Sequence, residues 1–227
     1  VEIEGCNIGP TVLQFKIKPE AGVKIAKIEG LKKDMSLAIK AKSVRILAPI
    51  PDTDSVGIEI PNPKPQMVRL REILGSMIFT QQMNKNLTNL SLGTGIDGST
   101  VVKSLEEMPH VLIAGATGSG KSVGVNSFIL SLIYQNSPAE LKFLMVDPKQ
   151  VELGIYEGIP YLLAPIITEA QKAVKVLKWA VDHMNERYLK LKNLKVRNIV
   201  EYNEKVGEHE KMYRMVIIID ELADLMM

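Results

Sequence analysis

Sulfhydryl chemistry is almost missing from this chain: 227 residues carry one cysteine, Cys6. A lone thiol builds no internal disulfide framework and no cysteine-rich zinc site, and it suits a reduced compartment. Histidine is scarce too, and His110, His183 and His209 are spaced too widely to form a metal pattern. Long apolar runs are absent. The longest, Met215 to Ile219, is about five residues, against the roughly 20 a membrane helix needs. No signal peptide opens the chain. Nor is there an excess of one charge: 28 Lys+Arg face 26 Asp+Glu, for a net +2. Such a balance neither demands nor excludes a nucleic-acid partner, and only a local basic patch would argue for one. What is present is ordinary globular material, 46% hydrophobic and 24% charged, which excludes wholesale disorder. The chain opens on Val1 and closes on Leu225-Met226-Met227, so both ends read as cut from something longer.

Two textures divide the sequence. Residues 1–66 hold short alternating runs. Thr11–Lys18, Val44–Ala48 and Val56–Ile60 alternate apolar and polar residues with the period of a half-buried strand. Leu31, Met35, Ala38 and Ile39 share one face of a helix expected between Gly30 and Lys42. Pro51, Asp52 and Asp54 mark a turn. The reading is strand–helix–strand–strand, a small α+β domain. Pro61, Pro63 and Pro65 then exclude helix interior and central strand, which marks a boundary. Residues 67–109 form a connecting segment, with a short helix expected over Val68–Ile78, one short strand at Leu90–Leu92, and a turn at Gly95–Gly98.

From residue 110 to 227 the pattern changes to buried strands alternating with long helices. Val111–Ala114, Phe143–Val146 and Met215–Ile219 are continuous apolar runs, as expected of strands covered on both faces. Helices are expected from Lys121 to about Tyr134, and from the capping-box string Thr168-Glu-Ala-Gln171 to about Leu194. Alternation of this kind implies crossover units and a mostly parallel sheet.

Gly115-Ala-Thr-Gly-Ser-Gly-Lys-Ser122 fits the phosphate-loop pattern, after an expected strand and before an expected helix. The glycines let successive backbone N–H groups turn toward phosphates, and the helix N-terminus adds partial positive charge. The nucleotide-binding residues are Gly115, Ala116, Thr117, Gly118, Ser119, Gly120, Lys121, Ser122 and Val123. Lys121 reaches the β- and γ-phosphates, and the Ser122 hydroxyl is a ligand for Mg²⁺. The second element is Met215–Glu221, an apolar strand that delivers Asp220 and Glu221 at its C-terminal end, where open parallel sheets bind ligands. Asp220 suits Mg²⁺, and Glu221 suits activation of an attacking water, a division that fits ATP hydrolysis. Asp147-Pro-Lys149 ends the middle strand, either as a nucleotide sensor or as a solvated Asp-Pro turn. The basic residues from Lys172 to Lys195 read as the solvated face of a helix whose apolar face carries Ala173, Val174, Leu177, Val181, Met184 and Leu191; Trp179 reads as a packing anchor.

Taken together, the chain resembles the motor region of the FtsK/SpoIIIE DNA translocase family. The likeness runs through Gly9-Pro-Thr-Val12, Arg45–Pro51, Val56–Asn62, Met108–Asn126, Asp147–Lys149, Tyr156–Pro160, Glu186–Tyr188, Arg197-Asn198, Tyr202-Asn203 and Asp220–Met227. It implies an α/β fold of the P-loop NTPase, RecA-like kind, incomplete at its C-terminus and preceded by a small α+β domain. It also implies an ATP- and Mg²⁺-dependent motor that assembles as a homo-hexamer around double-stranded DNA in division, chromosome partition or sporulation. The expected setting is the cytoplasmic face of the bacterial membrane, reached through segments outside this chain; the chain itself is expected to be soluble and inactive alone. Lys121 and Glu221 are the catalytic residues on this reading, and Ser122 and Asp220 the metal ligands. Arg187, Arg197 and Arg214 are candidates for the arginine that completes a neighbour's site.

Overall fold

The computed structural model describes residues 2–41 and 43–226. Val1, Lys42 and Met227 lie outside them, and with Lys42 the expected end of the first helix. The chain forms two compact units, 1–131 and 132–227, and the division falls within a helix.

In the first unit, alternating apolar positions form strands where a face can be covered. Strands β1 (Glu2–Ile8) and β2 (Val12–Lys18), helices α1 (Ile25–Gly30) and α2 (Lys32–Ala38), and strands β3 (Arg45–Leu47) and β4 (Val56–Pro61) follow in order. They make an antiparallel sheet ordered β1-β2-β4-β3. Ile17 pairs with Val56 across β2 and β4, and both are buried with Ile28 of α1. The buried Gln14 Nε2 donates to Glu59 Oε1 at 3.1 Å, which satisfies two polar groups on the central strands. Two features depart from expectation. Strand β1 is an edge strand with Ile3 and Ile8 exposed, so backbone pairing rather than burial makes it a strand. The single helix expected from Gly30 is two short ones, because α1 starts earlier and ends at Gly30, with Leu31 as the joint between them at ψ 0.

Helices α3 (Leu70–Leu74) and α4 (Met77–Met83) replace the single helix expected over Val68–Ile78. Ser76 breaks it, since its side chain accepts from Phe79 N at 3.2 Å and caps α4. A hairpin of β5 (Asn89–Thr94) and β6 (Thr100–Ser104) follows, one strand more than expected. The Gly95–Gly98 turn forms as expected: Gly95 N donates to Ser99 O, and Gly98 takes φ +82°. Ile73, Phe79 and Val102 form the core beneath it.

Helix α5 (Lys121–Gln135) crosses the division between the units. In the second unit β7 (Leu141–Val146) pairs in parallel with β8 (Arg214–Ile219), from Leu141↔Arg214 to Val146↔Ile219. On its other edge β7 bridges Leu162 and Ile167, also in parallel. A strand flanked on both edges and covered on both faces has no solvated side, which is why it reads as a continuous apolar run. Between them α6 (Ala170–Leu194) and α7 (Ile199–Lys205) form the crossover. The capping box is not used: Glu169 is the N-cap and makes no side-chain cap bond. Ala173 packs on Leu144, Val146 and Ile167. Val174, Val181 and Met184, expected on the covered face, are exposed, because that face runs through Ala173, Val176, Leu177 and Ala180. Trp179 stacks on His183 at 5.2 Å, His183 on Tyr213 at 6.2 Å, and the Arg187 guanidinium lies 4.7 Å over the Tyr213 ring. That stack ties α6 to the segment entering β8. The short helix α8 (Ala223–Met226) closes the described chain, with Leu225 on the Ala173 cluster.

Candidate functional site

The phosphate-loop string folds as a glycine turn on a helix N-terminus. Ser119 N donates to Ala116 O at 2.9 Å. Gly118 and Gly120 take φ +80° and +94°, angles that side chains resist. A Cβ on Gly115 would sit 2.2 Å from Ser119 Oγ, so the turn is closed tightly there. Helix α5 begins at Lys121, and Gly124 N donates to Gly120 O at 2.8 Å in its first turn. Residues 115–120 and Val123 are exposed, while Lys121 and Ser122 are half-buried. A 15-residue helix aimed at this turn favours anions at its N-terminus.

The strand expected before the loop is not formed. Val111–Ala114 is exposed and without regular secondary structure, and it joins no ladder among the described residues. An apolar run becomes a buried strand only if a neighbour supplies backbone partners, and among the described residues no strand pairs with this one. What anchors the loop instead is α5. Ser91 of β5 meets Ser127 Oγ at 2.9 Å and Ser131 Oγ at 2.6 Å, and Ser91 N donates to Ser131 Oγ. Sequence reasoning misses this hydroxyl clamp. Its trace in the sequence is two serines four apart, Ser127 and Ser131, beside the apolar residues Phe128, Ile129, Leu130, Leu132 and Ile133, a pattern that also fits a solvated helix face.

In the second unit, β7 and β8 end side by side. Asp220 N donates to Val146 O at 3.0 Å, so Asp147 and Asp220 follow the last paired residues of neighbouring strands. The solvated-turn reading of Asp147 is overturned: the residue is fully buried. Its Oδ2 accepts from Glu152 N at 3.1 Å and Leu153 N at 2.9 Å, and its Oδ1 has no hydrogen-bond partner among the described residues. The turn it holds carries Lys149, whose Nζ lies 3.7 Å from Glu221 Oε2 and 3.7 Å from Asp224 Oδ2. Of the acids read from the sequence, Glu221 is thus joined to Lys149 rather than standing as an isolated strand end. The loop belongs to the first unit and the acids to the second.

The donor chemistry fits a hard cation. The Ser122 hydroxyl in the first unit and the Asp220 carboxylate in the second are each oxygen donors of the type a hard cation takes, and the buried Asp147, whose Oδ1 is unpartnered among the described residues, directly follows β7. Among the described residues no group of three or more His, Cys, Asp or Glu could hold a metal. Mg²⁺ in nucleotide sites keeps several waters and takes phosphate oxygens, so it needs no such protein cage. Of the arginine candidates, Arg187 is engaged within its own unit, donating to Tyr213 O at 2.9 Å, whereas Arg197 is exposed. Among the described residues no helix is long and apolar enough to cross a membrane.

A glycine turn on a helix N-terminus, parallel strands and acids at a strand end define an α/β protein of the P-loop NTPase class. The chain matches the solved conjugation coupling protein TcpA of pCW3, in its monomer form with ATPgS, at TM-score 0.60 and 23% identity, over 99% of this chain and 59% of that one. It matches the cytoplasmic domain of EssC at TM-score 0.51 and 21% identity, over 58% of this chain and 26% of that one. Both show the fold. Residues 69–227 match the FtsK/SpoIIIE family and residues 1–62 the FtsK alpha domain. The chain belongs to the FtsK/SpoIIIE family. It is 50% identical to the DNA translocase FtsK of Caldanaerobacter subterraneus subsp. tengcongensis over 219 residues, 96% of this chain and 30% of that protein. It is 52% identical to the FtsK of Clostridium tetani, over 96% of this chain and 30% of that protein, and 47% identical to the DNA translocase SftA of Bacillus subtilis, over 96% and 23%. The chain thus spans less than a third of the length of these relatives.

Proposed function

We propose that this chain is the nucleotide-binding part of a motor that couples Mg²⁺-dependent ATP hydrolysis to movement of double-stranded DNA. The observation that carries the reading is that one chain holds both a phosphate-loop turn on α5 and Asp220 and Glu221 at the end of β8, and is half identical to DNA translocases over nearly its whole length. Backbone N–H groups of residues 115–122 cradle the phosphates, and Lys121 places its ammonium on the β- and γ-phosphates. Ser122 and Asp220 would be the protein ligands of the metal, and Asp147 Oδ1 would offer a further acceptor next to the end of β8. Bound Mg²⁺ supplies charge neutralisation at the phosphate oxygens. Glu221 orients the attacking water and takes its proton. Residues 1–66 are the small α+β domain, 67–109 the connection and 110–227 the ATPase domain.

The likeness to the FtsK/SpoIIIE family supplies the ring, and charge makes DNA affinity depend on it. A net +2 holds a duplex weakly, but six copies in a ring sum their fields along one channel. By that likeness the motor is a hexamer in the intact protein, held at the division septum through segments outside this chain. Phosphate contacts carry no base information, so this part binds duplex DNA without sequence preference. The conjugation coupling protein TcpA shares the fold, but the FtsK alpha domain match over residues 1–62 favours the translocase reading.

The test separates binding from chemistry in the full-length protein. Lys121→Ala should weaken ATP binding about tenfold or more, as expected for loss of a hydrogen bond to a charged group. Glu221→Gln should leave Mg·ATP binding intact while slowing single-turnover hydrolysis about 100-fold or more. Wild-type affinity in the first variant, or wild-type hydrolysis in the second, would remove the assigned role. A wild-type protein without DNA-stimulated ATPase would overturn the motor reading itself.

A further inference from the structure

The geometry points to Lys149 as a positioning residue for Glu221, acting through a clamp that the β7–β8 register assembles. The inference rests on the proposed role of Glu221 in hydrolysis. A glutamate that has just left a strand has free side-chain torsions, and a group that orients water works only if those torsions are held. Two rigid parts flank it here. On one side Asp224 stands in the first turn of α8, whose Leu225 packs against the Ala173 core cluster. On the other, the fully buried Asp147 accepts from Glu152 N and Leu153 N, which fixes the turn that carries Lys149. Lys149 Nζ spans the gap at 3.7 Å to each carboxylate, Glu221 Oε2 and Asp224 Oδ2. One ammonium between two carboxylates, one of them fixed by a helix, limits where the other can point. The side chains are 56% exposed for Lys149 and 34% for Glu221, so the pair adds little to stability; what it supplies is orientation.

The class of the effect is specific. Lys149 touches neither phosphate nor reacting water in this role, so its loss should appear in turnover and not in nucleotide binding. In the full-length protein, Lys149→Met should lower kcat for Mg·ATP about tenfold or more, with KM and fluorescent-nucleotide affinity within about twofold of wild type, since misplacing a reacting group by about 1 Å costs up to about 100-fold. Lys149→Arg should restore most of the rate, because guanidinium reaches both carboxylates. The double variant Lys149→Met/Glu221→Gln should be no slower than Glu221→Gln alone, because residues that act as a unit are not additive. Asp224→Asn, which removes one arm of the clamp, should lower kcat less than Lys149→Met does. Unchanged kcat in Lys149→Met, a loss carried by KM or affinity, or additivity with Glu221→Gln would overturn the assignment while leaving the ATPase reading in place. A wild-type protein that hydrolyses no ATP would overturn both.

Discussion

Replacing Gly118 by alanine isolates backbone geometry from every other property of the phosphate loop. At φ +80° the left-handed region costs a residue with a side chain about 1–2 kcal/mol. Space is not the issue, because a Cβ at Gly118 would meet nothing within 4 Å. The loop is exposed, so the free protein can relax away from the strained angle, and the cost falls on the nucleotide-bound conformation. At about 1.4 kcal/mol per decade, ATP affinity should fall about 5- to 30-fold. Gly120→Ala, at φ +94° and equally open, should behave alike. Gly124 is the internal control. A Cβ there would also meet nothing beyond the helix's own backbone, but its φ is not positive and it lies within α5. Gly124→Ala should therefore stabilise the fold by about 0.8–1 kcal/mol and leave affinity unchanged. Calorimetric titration with Mg·ATP, beside thermal melting, reads both quantities. Full affinity in Gly118→Ala and Gly120→Ala would refute the claim that the loop binds in the conformation seen here. A loss in Gly124→Ala equal to theirs would refute the claim that φ is the cause.

Two further outcomes concern stability. Asp147→Ala removes the acceptor of two backbone N–H groups at a fully buried site, and at about 1–3 kcal/mol per stranded donor it should lower unfolding free energy by about 2–6 kcal/mol. Urea titration checks it, and a midpoint equal to wild type would show that the turn does not depend on Asp147. Glu140 accepts from Ser137 N at 2.8 Å and Ser137 Oγ at 2.7 Å, which holds its carboxyl below the ordinary 4.5. Its folded-state affinity for protons is thus lowered, so its contribution is present above pH 4.5 and is lost as pH falls through the lower folded value. The group is exposed, so the contribution is about a few tenths of a kcal/mol after solvent screening. Glu140→Gln should flatten the acid limb of stability against pH by that amount, and an unchanged limb would contradict the assignment.

Much of the site is legible in the sequence because its physics is local. Gly118 and Gly120 adopt positive φ because they lack a Cβ, and the helix starts at Lys121 because the glycines end there; neither depends on a distant residue. Strands β7 and β8 can be read from their apolar runs, since a strand covered on both faces admits little else. The Ser76 break and the shifted inner face of α6 are harder, because a serine and a second apolar stripe each permit two local answers. Pairing is illegible wherever burial does not accompany it. Strand β1 exists because β2 offers it an edge, although its own side chains stay largely exposed. Val111–Ala114 shows the converse, an apolar run without a ladder. Only the tertiary structure decides that Asp147 is buried and that Lys149 reaches Glu221 and Asp224. Those contacts join residues about 70 positions apart through the in-register ending of two parallel strands, and a register between distant segments leaves no periodic mark on either one.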